Sequence, residues 1–235
     1  PPAISWLTLS SQKQYFLTLK GPVKMADTAA LENSKKIQTL RKSPASVLGT
    51  AFEAGSVAGT VELREVPFLT MAGIRVDPAG EAGKRLGTVT GGLPSASGEV
   101  RGSGDTAVLW LGPAEFLLVA PAESHESLGG ELPRALIAAL GDGGGQVVDL
   151  SANRTTLELT GPRASAVLEK GCALDLHPRV FKPGTALSTE IGGIPAILWK
   201  TGDETYRIFP RASFAEFLGR WLLDAMREYA STEVP

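Results

Sequence analysis

An internal repeat constrains the fold of this chain more than any other feature of its sequence. The segments 107–121 and 196–210 read AVLWLGPAEFLLVAP and AILWKTGDETYRIFP, and they align without gaps so that Trp110 matches Trp199, 89 residues later. Each segment predicts a β-hairpin, because two apolar strands flank a turn that contains glycine. A chain that carries this unit twice is expected to fold as two similar halves.

Helices and further strands surround the two predicted hairpins. Strands are predicted over 68–76 and 156–160, and each is followed by a helix, over 78–86 and 162–170. A second helix follows each hairpin, because apolar residues recur four apart on one face. These residues are Leu128, Leu132 and Leu136 in the first copy and Phe217, Trp221 and Ala225 in the second. The repeated unit is therefore strand–helix–strand–strand–helix.

The duplicated unit predicts the fold class and the domain limits. Duplicated units usually pack about a pseudo-twofold axis, with their sheets facing or joining each other. We therefore predict an α+β fold with antiparallel sheets and helices on their outer faces. The first copy spans about 61–140 and the second about 147–230, within one domain over 61–235.

Residues 1–60 differ in composition from the rest of the chain and predict an N-terminal arm. In residues 1–24 the apolar side chains are interrupted by Ser, Gln and Lys, so they contain no continuous hydrophobic region of a secretory signal. We interpret Met25 as the natural start, with an extension from an expression vector or an upstream start site before it; the alternative is a genuine arm. Residues 26–60 carry few large apolar side chains, so we expect them to order only against a partner.

Charge and cysteine content exclude several classes of function. The net charge is −2, with scattered Lys and Arg, so there is no electrostatic sign of a nucleic acid or an anionic membrane partner. No apolar run approaches the roughly 18 residues of a membrane span. Cys172 is the single cysteine, which excludes an internal disulfide and favours a cytoplasmic location. His125 and His177 are the two histidines, which leaves few ligands for a metal.

Two polar clusters flank the predicted strand 156–160 and the helix that follows it. The first contains Asp149, Ser151, Asn153 and Arg154, and the second contains Cys172, Asp175 and His177. Three interpretations of Asp149 stay open: it binds a pterin-like ring, it pairs with Arg154, or it caps a turn by accepting backbone N–H bonds.

The second cluster contains the residue types of a Cys–His–Asp nucleophile set, but its predicted position does not favour a reactive thiol. Cys172 follows a predicted helix end, whereas a reactive thiol needs a cation or a helix N-terminus to lower its pKa. A nucleophilic role with Asp175 and His177 is conceivable, but a hydrogen-bonded loop is the simpler interpretation. The three residues also lack the spacing and ligand number of a structural zinc site. We therefore assign no catalytic, cofactor-binding or metal-binding residue to this chain.

Several ordered motifs between about 61 and 225 resemble the gamma subunits of heterotetrameric sarcosine oxidases. They are VVDxSxNRxxLxLxGPRA, VLxKGCxLDLHPxxF, the two tryptophan hairpins and SFxxFxxRWLL. That family is similar in fold to the folate-binding domain of glycine-cleavage aminomethyltransferases, which agrees with the duplicated unit.

The resemblance implies a structural role in a flavoenzyme complex. Such complexes oxidise sarcosine to glycine, reduce oxygen to hydrogen peroxide, and release formaldehyde or form 5,10-methylenetetrahydrofolate. In that family the beta subunit carries FAD and FMN, the alpha subunit binds NAD and tetrahydrofolate, and the delta subunit binds zinc. The gamma subunit carries no cofactor, so the implied partners are the alpha, beta and delta subunits.

Five residues are our candidates for the interface with those partners. Trp110 and Trp199 offer large areas to bury, although they equally suit a core or a flat ligand. Arg207, Arg211 and Arg220 lie near the C-terminal helix and are suited to pairing with carboxylates. The alternative to a subunit is a stand-alone folate-binding or aminomethyltransferase-like protein, although enzymes of that kind usually add a C-terminal barrel domain.

Overall fold

Two antiparallel sheets and five α-helices make up the computed structural model of the chain, which describes residues 41–122 and 131–230. The strands are β1 Glu62–Glu65, β2 Thr70–Val76, β3 Val100–Ser103, β4 Thr106–Gly112, β5 Glu115–Ala120, β6 Gly145–Asp149, β7 Leu157–Thr160, β8 Ala186–Ile191, β9 Ile194–Gly202 and β10 Thr205–Pro210. The α-helices are α1 Gly49–Gly55, α2 Glu81–Thr90, α3 Glu131–Leu140, α4 Ala164–Glu169 and α5 Ala215–Ala230.

Each five-stranded sheet contains one strand from the other half of the chain. The first sheet has the order β6-β2-β5-β4-β3, and the second has the order β1-β7-β10-β9-β8. The first strand of each half therefore leaves its own half and pairs at the edge of the other, so that Leu63 lies opposite Leu159 and Val148 lies opposite Gly73. Separating the halves would break two strand ladders.

The predicted fold class is confirmed, although each half has two more strands than predicted. All strand pairs in the described residues are antiparallel, and the helices cover the outer faces of the sheets. The additional strands are β1 and β3 in the first half and β6 and β8 in the second. β1, β3 and β6 have only four or five residues, and all four lack the apolar runs that identified the others.

The two hairpins are equivalent at a spacing of 90 residues rather than 89. Gly112 closes the first hairpin opposite Glu115, and Gly202 closes the second opposite Thr205. Trp199 therefore corresponds to Leu109, and both lie in the core between the sheets. Trp110 corresponds to Lys200 and packs instead against the core beneath α2 and α3. A shift of one residue moves every strand side chain to the opposite face, so the predicted match of the two tryptophans is wrong.

The structure corrects one residue of the apolar face predicted for the last helix. Trp221 and Ala225 pack in the core, whereas Phe217 is 56% exposed. At the 90-residue spacing, Leu132 and Leu136 correspond to Leu222 and Met226, which are buried. Leu128 of the matching pattern lies outside the described residues.

The described chain joins the core earlier than residue 61. A 3-10 turn at Ser46–Leu48 leads into α1, and Leu48 and Phe52 are buried in the same core as Leu218 of α5. The compact unit begins at Lys42, which corrects the domain start predicted near Val61. Composition did not reveal this contact, because the segment needs few large side chains to pack closely on α5. A Cβ on Gly219 of that helix would lie 2.6 Å from Leu48. The arm predicted for residues 1–40 lies outside the described residues.

Two glycines form a flat seat for the indole of Trp221 on α5. A Cβ on Gly171 would lie 2.4 Å from Cζ2 of Trp221, and a Cβ on Gly192 would lie 2.8 Å from Cδ2. Both glycines come from turns of the second half, after α4 and between β8 and β9. The indole therefore locks the last helix onto these two turns.

We expect the substitution Gly171→Ala to lower the free energy of unfolding by about 1–3 kcal/mol, because the added methyl overlaps a rigid indole. Gly144→Ala is the matched control, since a Cβ there would meet nothing within 4 Å, and it should change stability by less than about 0.5 kcal/mol. Urea unfolding followed by tryptophan fluorescence measures both. Equal stability of the two variants would contradict the packing described for Trp221.

Candidate functional site

Asp149 caps the turn after β6. Its Oδ1 accepts the backbone N–H of Ser151 at 2.9 Å and the hydroxyl of Ser151 at 2.6 Å. The same hydroxyl oxygen accepts the N–H of Met71 at 3.0 Å, which fastens the turn to β2. Asp149 forms no ion pair with Arg154 within the described residues. Of the three interpretations offered by the sequence, the geometry is that of the capping carboxylate.

Arg154 reaches the other side of the same turn. Its Nη1 donates to the carbonyl of Phe209 at 2.8 Å, and its backbone forms an isolated bridge with Arg211. Burial and the nearby charge of Arg211 lower the pKa of the Arg154 guanidinium below its ordinary value. Arg154 therefore ties the loop between β6 and β7 to the end of β10, and it has no carboxylate partner among the described residues.

The second polar cluster is a hydrogen-bonded loop. Cys172 Sγ lies 3.7 Å from the hydroxyl of Thr189, and its backbone bridges to Ile191. Asp175 accepts the backbone N–H of His177 at 3.0 Å, and Nδ1 of His177 accepts the N–H of Arg179 at 3.2 Å. The carboxylate and the imidazole thus bond to backbone groups of their own loop, an arrangement that holds a turn in shape.

Residues 41–122 and 131–230 contain no group of three or more His, Cys, Asp or Glu side chains placed to hold a metal. In the same ranges, no helix is long and apolar enough to cross a membrane. His125 lies outside these ranges.

A row of charged side chains crosses the second sheet on the face toward the first. Glu158 of β7 stands opposite Arg64 of β1 on one side and Arg207 of β10 on the other. Its Oε1 accepts Nε of Arg64 at 2.9 Å, and its Oε2 accepts Nε of Arg207 at 2.9 Å. The guanidinium of Arg207 also lies 5.8 Å from the ring centre of Trp199, which stacks on Phe209.

The environment of Glu158 favours its charged form. Burial alone would raise the pKa of this carboxyl, whose side chain is 6% exposed. The hydrogen bonds and charges of Arg207 and Arg64 outweigh that effect and hold the pKa below its ordinary value. One carboxylate shared by two guanidinium groups leaves the row with a net positive charge.

A cavity of about 380 Å³ opens beside this row, at the end of the crossover between β1 and β2. Both sheets line it: Val66, Pro67, Leu69, Asp105, Val119, Pro121, Trp199 and Arg207 are among its residues. Its volume is within the range of ligand pockets. The polar groups at its wall are a carboxylate and a guanidinium, which suit hydrogen bonding and charge pairing.

The five interface candidates lie on different parts of the fold. Trp199 and Arg207 share the wall of the cavity. Trp110 is half-buried against the core of the first half. Arg211 is exposed just before α5, and Arg220 is exposed on α5, where it pairs with Glu216 at 2.8 Å.

Sequence reasoning missed Glu158 and Lys200, which lie in apolar strands. Glu158 lies between two leucines in the strand Leu157–Thr160. A charged residue in such a strand is the sequence signal that could have identified it. Lys200 is 2% exposed; its Nζ donates to the carbonyl of Phe181 at 3.2 Å and lies 5.3 Å from the ring centre of Tyr206. Both side chains hold neighbouring elements together from inside.

Comparison with known proteins identifies relatives over most of the chain. Residues 73–228 match the family model described as the sarcosine oxidase, gamma subunit family. The sarcosine oxidase subunit gamma of Corynebacterium sp. strain P-1 is 49% identical over 212 residues, which cover 89% of this chain and 100% of that protein. The subunit gamma of an Arthrobacter species is 47% identical over the same lengths.

Solved structures agree with these relatives. A chain of the heterotetrameric sarcosine oxidase from Corynebacterium sp. U-96, in complex with pyrrole 2-carboxylate, has a TM-score of 0.77 at 50% identity and covers 83% of this chain and 100% of that chain. The glycine cleavage system aminomethyltransferase T from Bartonella henselae has a TM-score of 0.55 at 16% identity, over 75% of this chain and 48% of that chain. The second likeness confirms the predicted similarity of fold.

We expect Glu158→Gln to destabilise the folded chain by about 2–4 kcal/mol near pH 7, because it leaves two guanidinium groups without their shared carboxylate. Since the pKa of Glu158 is lower in the folded chain than in the unfolded one, its stabilisation is complete above the ordinary value of 4.5 and is lost as the pH falls through the folded pKa. The difference between variant and wild type should therefore shrink below that value.

Urea unfolding across this pH range measures the difference. Glu216→Gln serves as the control, because Glu216 pairs with Arg220 on an exposed helix face and such pairs contribute less than about 1 kcal/mol. A Glu158→Gln deficit that stays constant with pH would contradict the charged state assigned to Glu158.

Proposed function

The chain belongs to the sarcosine oxidase gamma subunit family and is a subunit of a heterotetrameric sarcosine oxidase, and we propose that its part in that complex is architectural rather than catalytic. The observation that supports this role is the use of its polar clusters. Asp149, Asp175 and His177 bond to backbone groups of their own turns, and Arg154 bonds to the backbone carbonyl of Phe209 at the end of β10. Glu158, the carboxylate of the charged row, is paired within the chain with two arginines.

The reaction to which this subunit contributes is the oxidative demethylation of sarcosine. The complex converts sarcosine and oxygen to glycine and hydrogen peroxide, and the one-carbon unit leaves as formaldehyde or as 5,10-methylenetetrahydrofolate. The partners are alpha, beta and delta subunits in the cytoplasm, and FAD, FMN, NAD, zinc and tetrahydrofolate belong to them. The assignment of these cofactors to the partners rests on the family and not on residues of this chain.

A rigid subunit suits such a reaction for a geometric reason. An imine product of sarcosine oxidation hydrolyses unless it reaches folate without meeting bulk water, so the path between two distant sites must stay aligned and closed. Reciprocal strand exchange gives this chain the rigidity to set that distance, because its halves move only as one body.

The start of α5 is the surface we propose to face a partner subunit. Phe214 is 38% exposed and Phe217 is 56% exposed, and both lie within seven residues of Arg220 on one stretch of chain. Exposed aromatic side chains beside an arginine are the composition typical of an interface centre. Arg211 precedes this stretch and adds a second exposed positive charge.

The cavity beside Trp199 and Arg207 is a second proposed contact. Its apolar wall, with Asp105 and Arg207 as the charged groups, suits a partner segment that combines an apolar side chain with polar groups. Trp110 is more enclosed by its own half, and its contribution to an interface would come from the exposed edge of the indole.

Expression of the complex with and without this chain tests the architectural role. Without it, we expect a lower yield or stability of the complex and more free formaldehyde for each sarcosine oxidised, with an unchanged rate of flavin reduction by sarcosine. Flavin absorbance near 450 nm during size-exclusion chromatography follows the assembly. Recovery of a fully assembled and fully coupled enzyme without this chain would overturn the proposal. A colourless monomer that binds tetrahydrofolate in calorimetry would instead favour a stand-alone folate-binding protein.

Charge reversal on α5 tests the proposed surface. Arg220→Glu should weaken co-elution with the flavin-bearing chains by about tenfold or more, because it places a negative charge beside the exposed phenylalanines. Arg227→Glu is the matched control, since Arg227 is an exposed arginine of the same helix that also pairs within it, with Asp224 at 2.9 Å. Equal loss of co-elution in the two variants would show that the change in net charge weakens assembly and that the surface around Arg220 is not the interface.

A further inference from the structure

Two of the four sheet edges are covered by hydrogen bonds from the chain itself. At the outer edge of β1, the N–H of Leu63 donates to Ser56 Oγ at 2.9 Å, and Val57 and Val61 exchange backbone bonds of 2.8 and 3.0 Å. At β8, Cys172 bridges to Ile191, and Gly98 accepts the N–H of Ala186 at 3.0 Å.

At β3 in the first sheet, the cover is close packing by a neighbouring loop and not hydrogen bonding. Gly91 packs so tightly on β3 that a Cβ there would lie 2.7 Å from the carbonyl carbon of Gly102. The positive φ of Gly91, +80°, ends α2 and turns the chain against β3. The outer side of β6 differs from the bonded edges of β1 and β8.

The orientation of β6 follows from bonds at both of its ends. The N–H of Leu150 donates to Met71 of β2 at 2.8 Å, so Leu150 faces inward. Val76 donates to Ala114 on its other side, at 3.0 Å, so its partner Gly145 faces outward. Residues of an antiparallel strand alternate between these directions. The backbone groups of Val147 and Asp149 therefore point away from the sheet.

Val147 occupies the position in the first sheet that Leu63 occupies in the second. Both residues lie on the exchanged edge strand, and both side chains contribute to the helix-covered core of the sheet that receives them. Ser56 satisfies the outward N–H of Leu63. The outward N–H and C=O of Val147 and the N–H of Asp149 have no protein hydrogen bond within the described residues.

The side chains of β6 do not protect this edge. Natural edge strands are usually blunted by lysine, proline or a bulge, whereas β6 reads GQVVD and pairs with β2 without a register shift. Gln146 is exposed, and Val148 is 41% exposed. An open backbone edge beside an exposed valine is a template for another strand.

We propose that the outer edge of β6 adds an extended strand from another subunit of the sarcosine oxidase complex. This inference rests on the proposed function and identifies one interface within it. The incoming segment bonds to Val147 and Asp149 through its backbone, carries an apolar side chain against Val148, and has no proline at its bonding positions.

The fold itself argues that the strand comes from another chain. Residues 49–57 supply the cover at β1, but only the turn 141–144 separates α3 from β6, which is too short to return along the edge. The described chain begins on the other sheet, where the N–H of Ala45 donates to Glu65 of β1 at 3.1 Å.

Residue-resolved hydrogen exchange on the intact complex tests the pairing. We expect the amides of Val147 and Asp149 to exchange at least about 100-fold more slowly than unprotected amides, as slowly as those of Gln146 and Val148, which face β2. Rapid exchange of Val147 and Asp149 beside protected Gln146 and Val148 would overturn the proposal, whereas it would leave the architectural role intact. Failure of the wild-type chain to assemble at all would count against the proposed function instead.

A charged substitution and a cross-link test the occupant. Val148→Lys should weaken assembly by about tenfold or more, whereas Val180→Lys, at a valine that is 60% exposed in a loop, should not; matching urea midpoints establish that both variants fold. A benzophenone side chain placed at residue 146 should cross-link to another subunit in the complex. A cross-link only to residues 1–40 of this chain or to a second copy of it would overturn the assignment, as would equal assembly of the two lysine variants.

Discussion

Reciprocal exchange of edge strands is the constraint on which the rest of this structure depends. β1 completes the sheet of the second half, and β6 completes the sheet of the first. The two crossovers bring the sheets face to face, so that Met71, Leu117, Ile197 and Phe209 form one core between them. Because each sheet takes an edge strand from the other half, neither half has a complete sheet and core alone. The duplicated domain is therefore a single mechanical body.

The charged row across the second sheet follows from the same exchange. Arg64 belongs to the first half, whereas Glu158 and Arg207 belong to the second, and pairing of β1 with β7 brings them into line. A buried carboxylate is costly unless its partners are well placed. Here two guanidinium groups supply them, and hydrogen bonds on both oxygens satisfy the carboxylate. The row lies at the junction between the halves, and its Arg207 lines the cavity together with Trp199.

The need to hydrogen-bond the backbone of the crossover loops explains why the polar clusters form turns. Crossover loops must satisfy backbone groups that no ladder reaches, and Asp149, Arg154 and Asp175 do so at 2.8–3.0 Å. Within the described residues, two buried polar atoms have no hydrogen-bond partner, Thr156 Oγ1 and Trp199 Nε1. The other open groups lie at the periphery: a strand edge, exposed phenylalanines and a cleft lined by Asp105 and Arg207. A subunit with a packed core and an open strand edge is suited to positioning other chains.

The sequence by itself determined the local structure and the family. Apolar periodicity and turn glycines identified both hairpins and the helices that flank them, because these signals act over a few residues. Spaced motifs identified the gamma subunit family, and the comparisons confirm that membership. The sequence also identified the turn residues around Asp149 and Asp175, although it left their partners open.

Only the tertiary structure decided which strand pairs with which. The pairings of β1 with β7 and of β2 with β6 join residues far apart in the chain, and strands of four and five residues carry no sequence signal for a distant partner. Register was likewise undetermined, since the matching tryptophans suggested 89 residues and the hairpin closures require 90. That single residue decides whether a side chain faces the helices or the opposite sheet. Hence the burial of Glu158 and Lys200, the exposure of Phe217 and the open edge of β6 follow from long-range pairing, which local patterns do not encode.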